Sequence, residues 1–489
     1  MIMRISKSTF VAGCQCVKRL YWQVHEPELA AEPDAATEAI MEQGRDVGLL
    51  ARQMFPGGVE VGYDGSLDQA IRTTRELVAN REVPAIFEGV FEHDGVLVRV
   101  DVLHRRGDGR LRLIEVKSSA SLKEEHLDDV AIQYRVLSRC GLDVGSCCLA
   151  HVNRSYVFSG GGVDPWRFFR IRNITRQVSR LQPKLTFQLR AAFTVLNMSN
   201  APDIKPGKQC TSPVTCEFFD RCNLPRPNDH IGYLPRLHAS AAEELEEMNI
   251  QSIRDIPDDF ELTEIQRRAA TCVQTEEPWY GPELGEVLSG LKYPLYFLDF
   301  ETVNRAIPRF PGTRPYDQLP FQFSAHSQKE HSAILEHHEF LATDASDPRR
   351  EFITSLCAAL GESGSIVVYN GAFESQRLSE IADWLPEFAD RIKKIQARLW
   401  DLLPVVRNHV YHPAFAGSYS LKAVLPALVP EMSYAGMQVA NGQDAGLAWE
   451  SLVTGSLEKA ESDRIEKALL EYCGKDTLAL VKLLEKLAP

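Results

Sequence analysis

Two regions of the chain end apolar runs in acidic side chains, at spacings that would let those acids share a metal ion. In "PLYFLDFET", residues 294–302, Asp299 and Glu301 stand two positions apart at the end of an apolar run. Period-two alternation puts Leu295, Phe297, Asp299 and Glu301 on one face of a strand that is core for most of its length and chemical at its end. Downstream, "SIVVYNGAFESQRL" is another apolar run, opening into Asn370, Phe373 and Glu374 at the start of a helix. "LLEYCGKDTLALVKLL" reads as a helix with Tyr472 and Asp476 four apart, on one face. Asp299, Glu301, Glu374 and Asp476 can hold two divalent ions at the separation that in-line phosphodiester hydrolysis needs. Tyr472, one turn before Asp476, would hold or polarise the attacking water. Asp401, in "LWDLLPVV", is a fallback ligand whose position also suits a helix-start acid.

The other region is "VLVRVDVLHRRGDGRLRLIEVKSS", where two strand-like runs flank a "GDG" suited to a tight hairpin. With the turn centred on Asp108, Asp101 and Glu115 are each seven residues away and oppose one another. Alternation then places Glu115 and Lys117 on one face, Ile114 and Val116 on the other. Opposed carboxylates repel unless a cation lies between them, and hard oxygen donors suit Mg2+ or Mn2+. Such an ion would activate water while Lys117 orients or protonates nearby oxygens. A surface hairpin with an ordinary Glu/Lys pair is the simpler alternative.

Eleven cysteines, an odd number, make a disulfide framework a poor reading for a chain without an export signal. Cys140, Cys147, Cys148, Cys272, Cys357 and Cys473 lie in apolar or helical contexts and read as core. "CTSPVTCEFFDRC" instead spaces Cys210, Cys216 and Cys222 six apart, and "CVKRLYW" offers Cys16 almost 200 residues earlier. Structural zinc sites draw on closer local pairs, whereas thiolates gathered from both ends of a domain suit a [4Fe-4S] cluster. Zinc, or a metal-free loop with buried thiols, remain the alternatives.

These residues must be positioned by more than one core, because 489 residues with 44% hydrophobic content exceed the size at which single cores stop growing. No apolar stretch approaches the roughly 18 residues of a membrane span, and "MIMRISKSTFVAGCQC" lacks the apolar centre of a secretion signal, so a cytoplasmic protein away from membranes is expected. The net charge of -13 argues against nonspecific nucleic-acid binding through a globally basic surface. Locally, "WRFFRIRNITRQVSRLQPKL", residues 166–185, is basic, and reads either as a solvated helix face or as a phosphate-tracking one.

Helical periodicity at 38–56, 67–80 and 121–139, with strand alternation in "GVLVRVDVL" and "RLRLIEVKSS", predicts an α/β module over 1–228. Proline-rich loops around the cysteines close it, with a border near 223–235. Residues 229–290 read as an acidic helical linker, with a helix-hairpin-helix-like nucleic-acid contact as the alternative. Strands and helices then alternate over 291–489, predicting a second α/β domain.

The order of Asp101 and the E-x-K of Glu115 and Lys117 resembles the RecB-like branch of the PD-(D/E)xK nucleases. The resemblance implies a restriction-endonuclease-like α/β fold and adds Gln133, beside Tyr134 in "DDVAIQYRVL", as a site residue. The family's G-x-x-x-H stands here as "GRDVG", with Gly48 in the histidine's place. Iron-sulfur members, including CRISPR-associated and AddB-type ones, carry one cysteine before R-x-L-Y/W and three after the catalytic core. That pattern implies Cys16, Cys210, Cys216 and Cys222 as [4Fe-4S] ligands, with Cys14 an extra.

D-x-E, N-x-x-F-E and Y-x-x-x-D resemble the tyrosine subtype of the DEDD ribonuclease H-like 3′-5′ exonucleases over 294–489, with Glu374 where most members carry Asp. The whole arrangement, including "SKSTFVAGCQCVKRLYWQVHEPEL" and "GSYSLKAVLPALVP", looks like a bacterial family of uncharacterised proteins that fuse the two modules. It implies a metal-dependent nuclease acting on DNA or RNA, preferentially single-stranded, with the 3′-5′ exonuclease in the C-terminal half. Two other readings stand beside it. One is a nucleic-acid-binding or assembly subunit whose first module is degenerate and whose cluster is structural; the other is a redox sensor.

Overall fold

The computed structural model describes residues 4–62, 65–223, 226–455 and 457–488. The chain forms two mixed α/β units, one of Met1–Leu224 with Arg305–Asp317 and one of Pro225–Asn304 with Gln318–Pro489. The border expected at 223–235 includes Leu224 and Pro225, which lie outside the described residues.

In the first unit, β1 (Ile5–Ser6), β2 (Val59–Glu60), β3 (Ala85–His93), β4 (Val96–Arg105), β5 (Leu111–Lys117), β6 (Val144–Val152) and β7 (Phe169–Asn173) form one mixed sheet. Its order is β2-β3-β4-β5-β6-β7, with β1 running parallel to β4. β4 and β5 are antiparallel around the 106–110 turn and pair Val102 with Ile114. Side-chain alternation on β5 sends Leu111 and Leu113 into one core with Val130, Ile132 and Val136 of the helix Glu124–Arg139. Ile114 enters a second core with Val47 and Ala51 of the helix Ala35–Arg52.

The stretch Arg305–Asp317, inside the 291–489 region in sequence, packs in this first unit. Ala306 N donates to Gln43 Oε1 at 2.8 Å and Phe158 N to Thr313 O at 2.9 Å. Residues 166–185 are not one helix face: they run through a four-residue helix, β7 and the first half of the helix Thr175–Leu196. Cys140, read as core, is exposed at the C-cap of the helix Glu124–Arg139, where the apolar period has ended, and Cys357 is half-buried.

The second unit holds a two-residue pairing of β8 (Trp279–Tyr280) with β14 (Val410–Tyr411), and a five-stranded sheet. The sheet comprises β9 (Leu295–Val303), β10 (Leu319–Gln328), β11 (Glu336–Leu341), β12 (Ile366–Val368) and β13 (Leu399–Asp401), in the order β11-β10-β9-β12-β13. β10 is antiparallel to both β9 and β11, while β12 is parallel to β9 and β13. β9 is nearly continuously apolar because both of its faces are covered. Tyr296, Leu298 and Phe300 pack with Phe352 and Leu378, and Leu295 and Phe297 with Leu480 and Leu483 of the helix Lys459–Leu487.

The 229–290 stretch read as a linker belongs to this same core. Leu245, Ile253, Ala269 and Leu288 share one cluster with Leu295 and Phe297. No described helix is long and apolar enough to cross a membrane.

Candidate functional site

In the second unit, Asp299 pairs with Ser324 across β9 and β10. Ser324 Oγ lies 2.7 Å and His326 Nδ1 2.8 Å from Thr477 Oγ1, and Gln322 Nε2 donates to Leu469 O at 2.8 Å. These bonds lock the helix Lys459–Leu487 onto the sheet, bringing Tyr472 and Asp476 to the carboxylates of β9. One carboxylate oxygen each of Asp299 and Glu301 and the Cys473 sulfur lie within 4.8 Å of one another. Asn370, at φ 81 and ψ 54, turns the chain directly from β12 into the helix Gly371–Trp384. Glu374 sits in its first turn, 2% exposed.

Burial, followed by the charges of Asp476, Glu301 and Glu374, raises the Asp299 carboxyl well above its usual range. Burial likewise pushes Glu301 and Glu374 up to about 8. Asp476 is also raised by burial, although Tyr434 Oη donates to its Oδ1. The opposing cations are Lys422, acting on Glu301 and Asp476, Lys475, acting on Asp476, and Arg377, acting on Glu374. Glu374 Oε2 is buried without a hydrogen-bond partner. Three buried acids and the half-buried Asp299, with one orphaned oxygen among them and too little positive charge to bring their carboxyls back down, fit divalent cations.

Asp401 is a helix cap. Its Oδ1 accepts from Leu403 N at 3.0 Å and from Asn370 N at 2.9 Å, bracing the turn that presents Glu374. Tyr434, Lys422 and Lys475 escaped the sequence reading of this site. The Lys422 ammonium lies 5.7 Å from the Tyr434 ring and 5.4 Å from the Tyr472 ring. Lys422 belongs to the run "GSYSLKAVLPALVP", which could have flagged it; Tyr434 lies in irregular chain with no periodic signal. Cys473 is fully buried, and burial ahead of the neighbouring acids raises its thiol, so it stands beside them as a neutral group.

In the first unit the hairpin register brings Asp101 opposite Glu115, and Asp101 Oδ2 accepts from Val116 N at 2.7 Å. Glu115 is buried and fully engaged. Its Oε1 accepts from Lys117 and Lys7, each at 2.8 Å, and its Oε2 from Gln133 Nε2 at 2.6 Å. Lys117 also pairs with Asp129 at 2.5 Å. Burial raises Asp101 to about 7, whereas the two ammonium groups outweigh burial and hold Glu115 well below the carboxylate range. Lys7 sits in the first turn of the helix Lys7–Gln15 and was not signalled by any spacing. With both Glu115 oxygens occupied by cationic or amide donors, this constellation does not fit a divalent ion as the second one does. Gly48 lies in the helix Ala35–Arg52, where a Cβ would meet nothing within 4 Å.

Cys16, Cys210, Cys216 and Cys222 line one small pocket with Trp22 and Phe218. Cys16 is the N-cap of the helix Val17–His25, and Cys222 ends the short helix Phe219–Cys222. Gln15 Nε2 donates to Gln209 O at 2.6 Å and Val214 O at 2.8 Å, and Arg19 pairs with Glu217 at 2.8 Å. Lys18 and Arg221 both stack over Trp22. Segments nearly 200 residues apart thus close on four thiols beside basic groups, a donor set that fits a thiolate-bound metal centre. Cys14, by contrast, is absent from this pocket lining.

One family model, described as a domain of unknown function (DUF2779), matches residues 296–420. The match spans Asp299, Glu301, Glu374 and Asp401 but not Tyr434, Tyr472 or Asp476. "Uncharacterized protein MG366 homolog" of Mycoplasma pneumoniae is 24% identical over 221 residues, 42% of this chain and 33% of its own length. "Uncharacterized protein UU173" of Ureaplasma parvum serovar 3 is 22% identical over 217 residues, 40% of this chain and 31% of its own. The chain thus spans about a third of the length of the curated relatives it matches. A solved structure titled "Crystal structure of SSO0001" aligns at 16% identity with a TM-score of 0.21, covering 38% of this chain and 75% of that one.

Proposed function

We propose that the chain is a metal-dependent nuclease whose hydrolytic centre lies in the second unit, a 3′-5′ exonuclease of the DEDD tyrosine type on a ribonuclease H-like fold, acting on single-stranded DNA or RNA. The observation that carries this is the convergence of Asp299, Glu301, Glu374 and Asp476, whose carboxyls burial raises despite the opposing charges of Lys422, Lys475 and Arg377. The strand order β11-β10-β9-β12-β13, antiparallel on one side of β9 and parallel on the other, supports it.

Asp299, Glu301, Glu374 and Asp476 would hold Mg2+ or Mn2+. Such ions lower the pKa of bound water and neutralise charge developing on phosphoryl and leaving oxygens. The Tyr434 hydroxyl orients Asp476 through its hydrogen bond. The Tyr472 hydroxyl, held protonated by burial and the surrounding acids, keeps its proton and donates a hydrogen bond to Asp476. Lys422 offsets part of the acid charge and offers an ammonium to an anionic substrate.

For the first unit we propose a RecB-like PD-(D/E)xK module whose cysteine pocket holds a [4Fe-4S] clasp. Here the Lys7 and Lys117 pairs on Glu115 favour the second reading, a catalytically degenerate module that binds or assembles rather than cleaves. The test is digestion of 3′- and 5′-end-labelled single-stranded DNA and RNA with Mg2+ or Mn2+. Stepwise release of nucleotides from 3′ ends, lost in Asp299→Asn and retained in Glu115→Gln, is expected; activity unchanged in Asp299→Asn would overturn the assignment.

A further inference from the structure

Beside the turn that presents Glu374, the second unit opens into a cavity of about 650 Å3 whose walls include Arg236, Arg407, Tyr369, Asn370, Tyr419 and Ser420. Its charge is one-sided. Arg236 and Arg407 both act on the Tyr419 hydroxyl, and neither forms an ion pair among the described residues. The nearby Asp401 carboxylate is engaged in capping. In a chain of net charge -13, two such guanidinium groups in one concavity call for an anion.

The site is held in shape at some cost. Arg236 adopts φ 53, a left-handed backbone that a non-glycine residue keeps only where its surroundings impose it. Gln266, itself buried, supplies the restraint, its Nε2 donating to Pro235 O at 3.1 Å and to Arg236 O at 3.3 Å. On the facing wall Gly417, at φ +75, packs so tightly against Tyr233 O that a Cβ there would come within 2.2 Å. Tyr369 Oη donates to Tyr419 O at 2.7 Å, which sets the Tyr419 backbone. The Tyr419 hydroxyl is buried with no hydrogen-bond partner.

Guanidinium forks recognise phosphate, an aromatic face stacks on a base, and a volume of this order suits a nucleotide-sized group. We infer that this cavity is a subsite for a phosphate and adjoining base of a single-stranded nucleic acid, with Arg236 and Arg407 on the phosphate and Tyr419 beside the base. The inference deepens the nuclease reading and rests on it for the source of the phosphate. It also gives the 229–290 region a part in binding, since Arg236 comes from there.

The test uses the full-length Asp299→Asn chain with a fluorescein-labelled single-stranded dodecanucleotide, DNA or RNA, in EDTA, following anisotropy from 50 to 300 mM KCl. Arg236→Ala and Arg407→Ala should each weaken binding roughly fivefold at 0.1 M salt and flatten the plot of log affinity against log salt by about 0.7, with the pair additive. Arg236 is exposed, so its replacement leaves folding intact. Salt slopes unchanged in both variants would overturn the subsite. So would inorganic phosphate that binds Arg407-dependently while oligonucleotide affinity is indifferent to both arginines, because the cavity would then take free anions only. Cleavage is scored separately with Asp299 intact. Altered slopes without any cleavage keep the subsite and retract the nuclease reading; cleavage with unaltered slopes retracts the subsite alone.

Discussion

Raising the pH of metal-free protein from 6.5 to 8 should destabilise the second unit, and the size of the loss follows from its buried carboxyls. Glu301 and Glu374 are each raised from 4.5 to about 8. An acid whose folded pKa lies above its unfolded one contributes stability that is complete below pH 4.5 and is lost as pH climbs through 8. Over the upper part of that window, from 6.5 to 8, each carboxyl accounts for about 2 kcal/mol at 1.36 kcal/mol per pH unit. For a domain of this size that is a fall of about 4–8 °C in melting temperature per carboxyl. The range avoids His326, lowered to about 4 by burial and His337, which contributes in the opposite sense only at lower pH. Calorimetry of the full chain in EDTA at pH 6.5, 7.25 and 8 reads the slope. Glu374→Gln should remove its own share, and Asp101, raised to about 7 in the first unit, cancels in that comparison. Millimolar Mn2+ should restore stability at pH 8, by about 2.7 kcal/mol at a hundredfold excess over Kd, and do little at pH 5, where protons occupy the acids. A melting temperature equally flat across pH 6.5–8 in the parent and in Glu374→Gln would refute the reasoning.

Asp299→Ala should reduce 3′-directed turnover by at least about a thousandfold, as loss of a metal ligand affects turnover more than affinity, while leaving iron content unchanged. Tyr434→Phe removes the hydrogen bond to Asp476, so a turnover loss of about tenfold with near-normal KM is expected in steady-state kinetics. Cys216→Ser should abolish the broad visible absorption and the iron and sulfide of anaerobically purified protein and lower its solubility; one equivalent of zinc without iron in the parent would retract the cluster. Lys7→Met leaves Glu115 buried and short of a cation, which should cost about 3–5 kcal/mol in guanidinium unfolding, with much of the loss recovered in a Lys7→Met, Glu115→Gln double variant.

Much of the candidate chemistry was legible before any fold was in hand because it obeys local periods. Alternation put Asp299 and Glu301 on the face of Leu295 and Phe297, and the structure buries those apolar residues in one cluster. A four-residue spacing put Tyr472 and Asp476 on one side of a helix, and a turn about Asp108 placed Asp101 opposite Glu115. Tertiary structure alone decided what meets these groups. Lys7 reaches Glu115 across 108 positions and Tyr434 reaches Asp476 across 42, from elements whose own periodicity carries no information about the partner. The same holds for residues 229–290, acidic and helical to the eye, whose apolar side completes the core beneath β9. It holds for Arg305–Asp317 too, contiguous in sequence with one unit and packed in the other. Protonation is the last thing the sequence leaves undetermined: a carboxyl titrates near 4.5 in water, and only desolvation among other acids carries Glu301 and Glu374 to about 8.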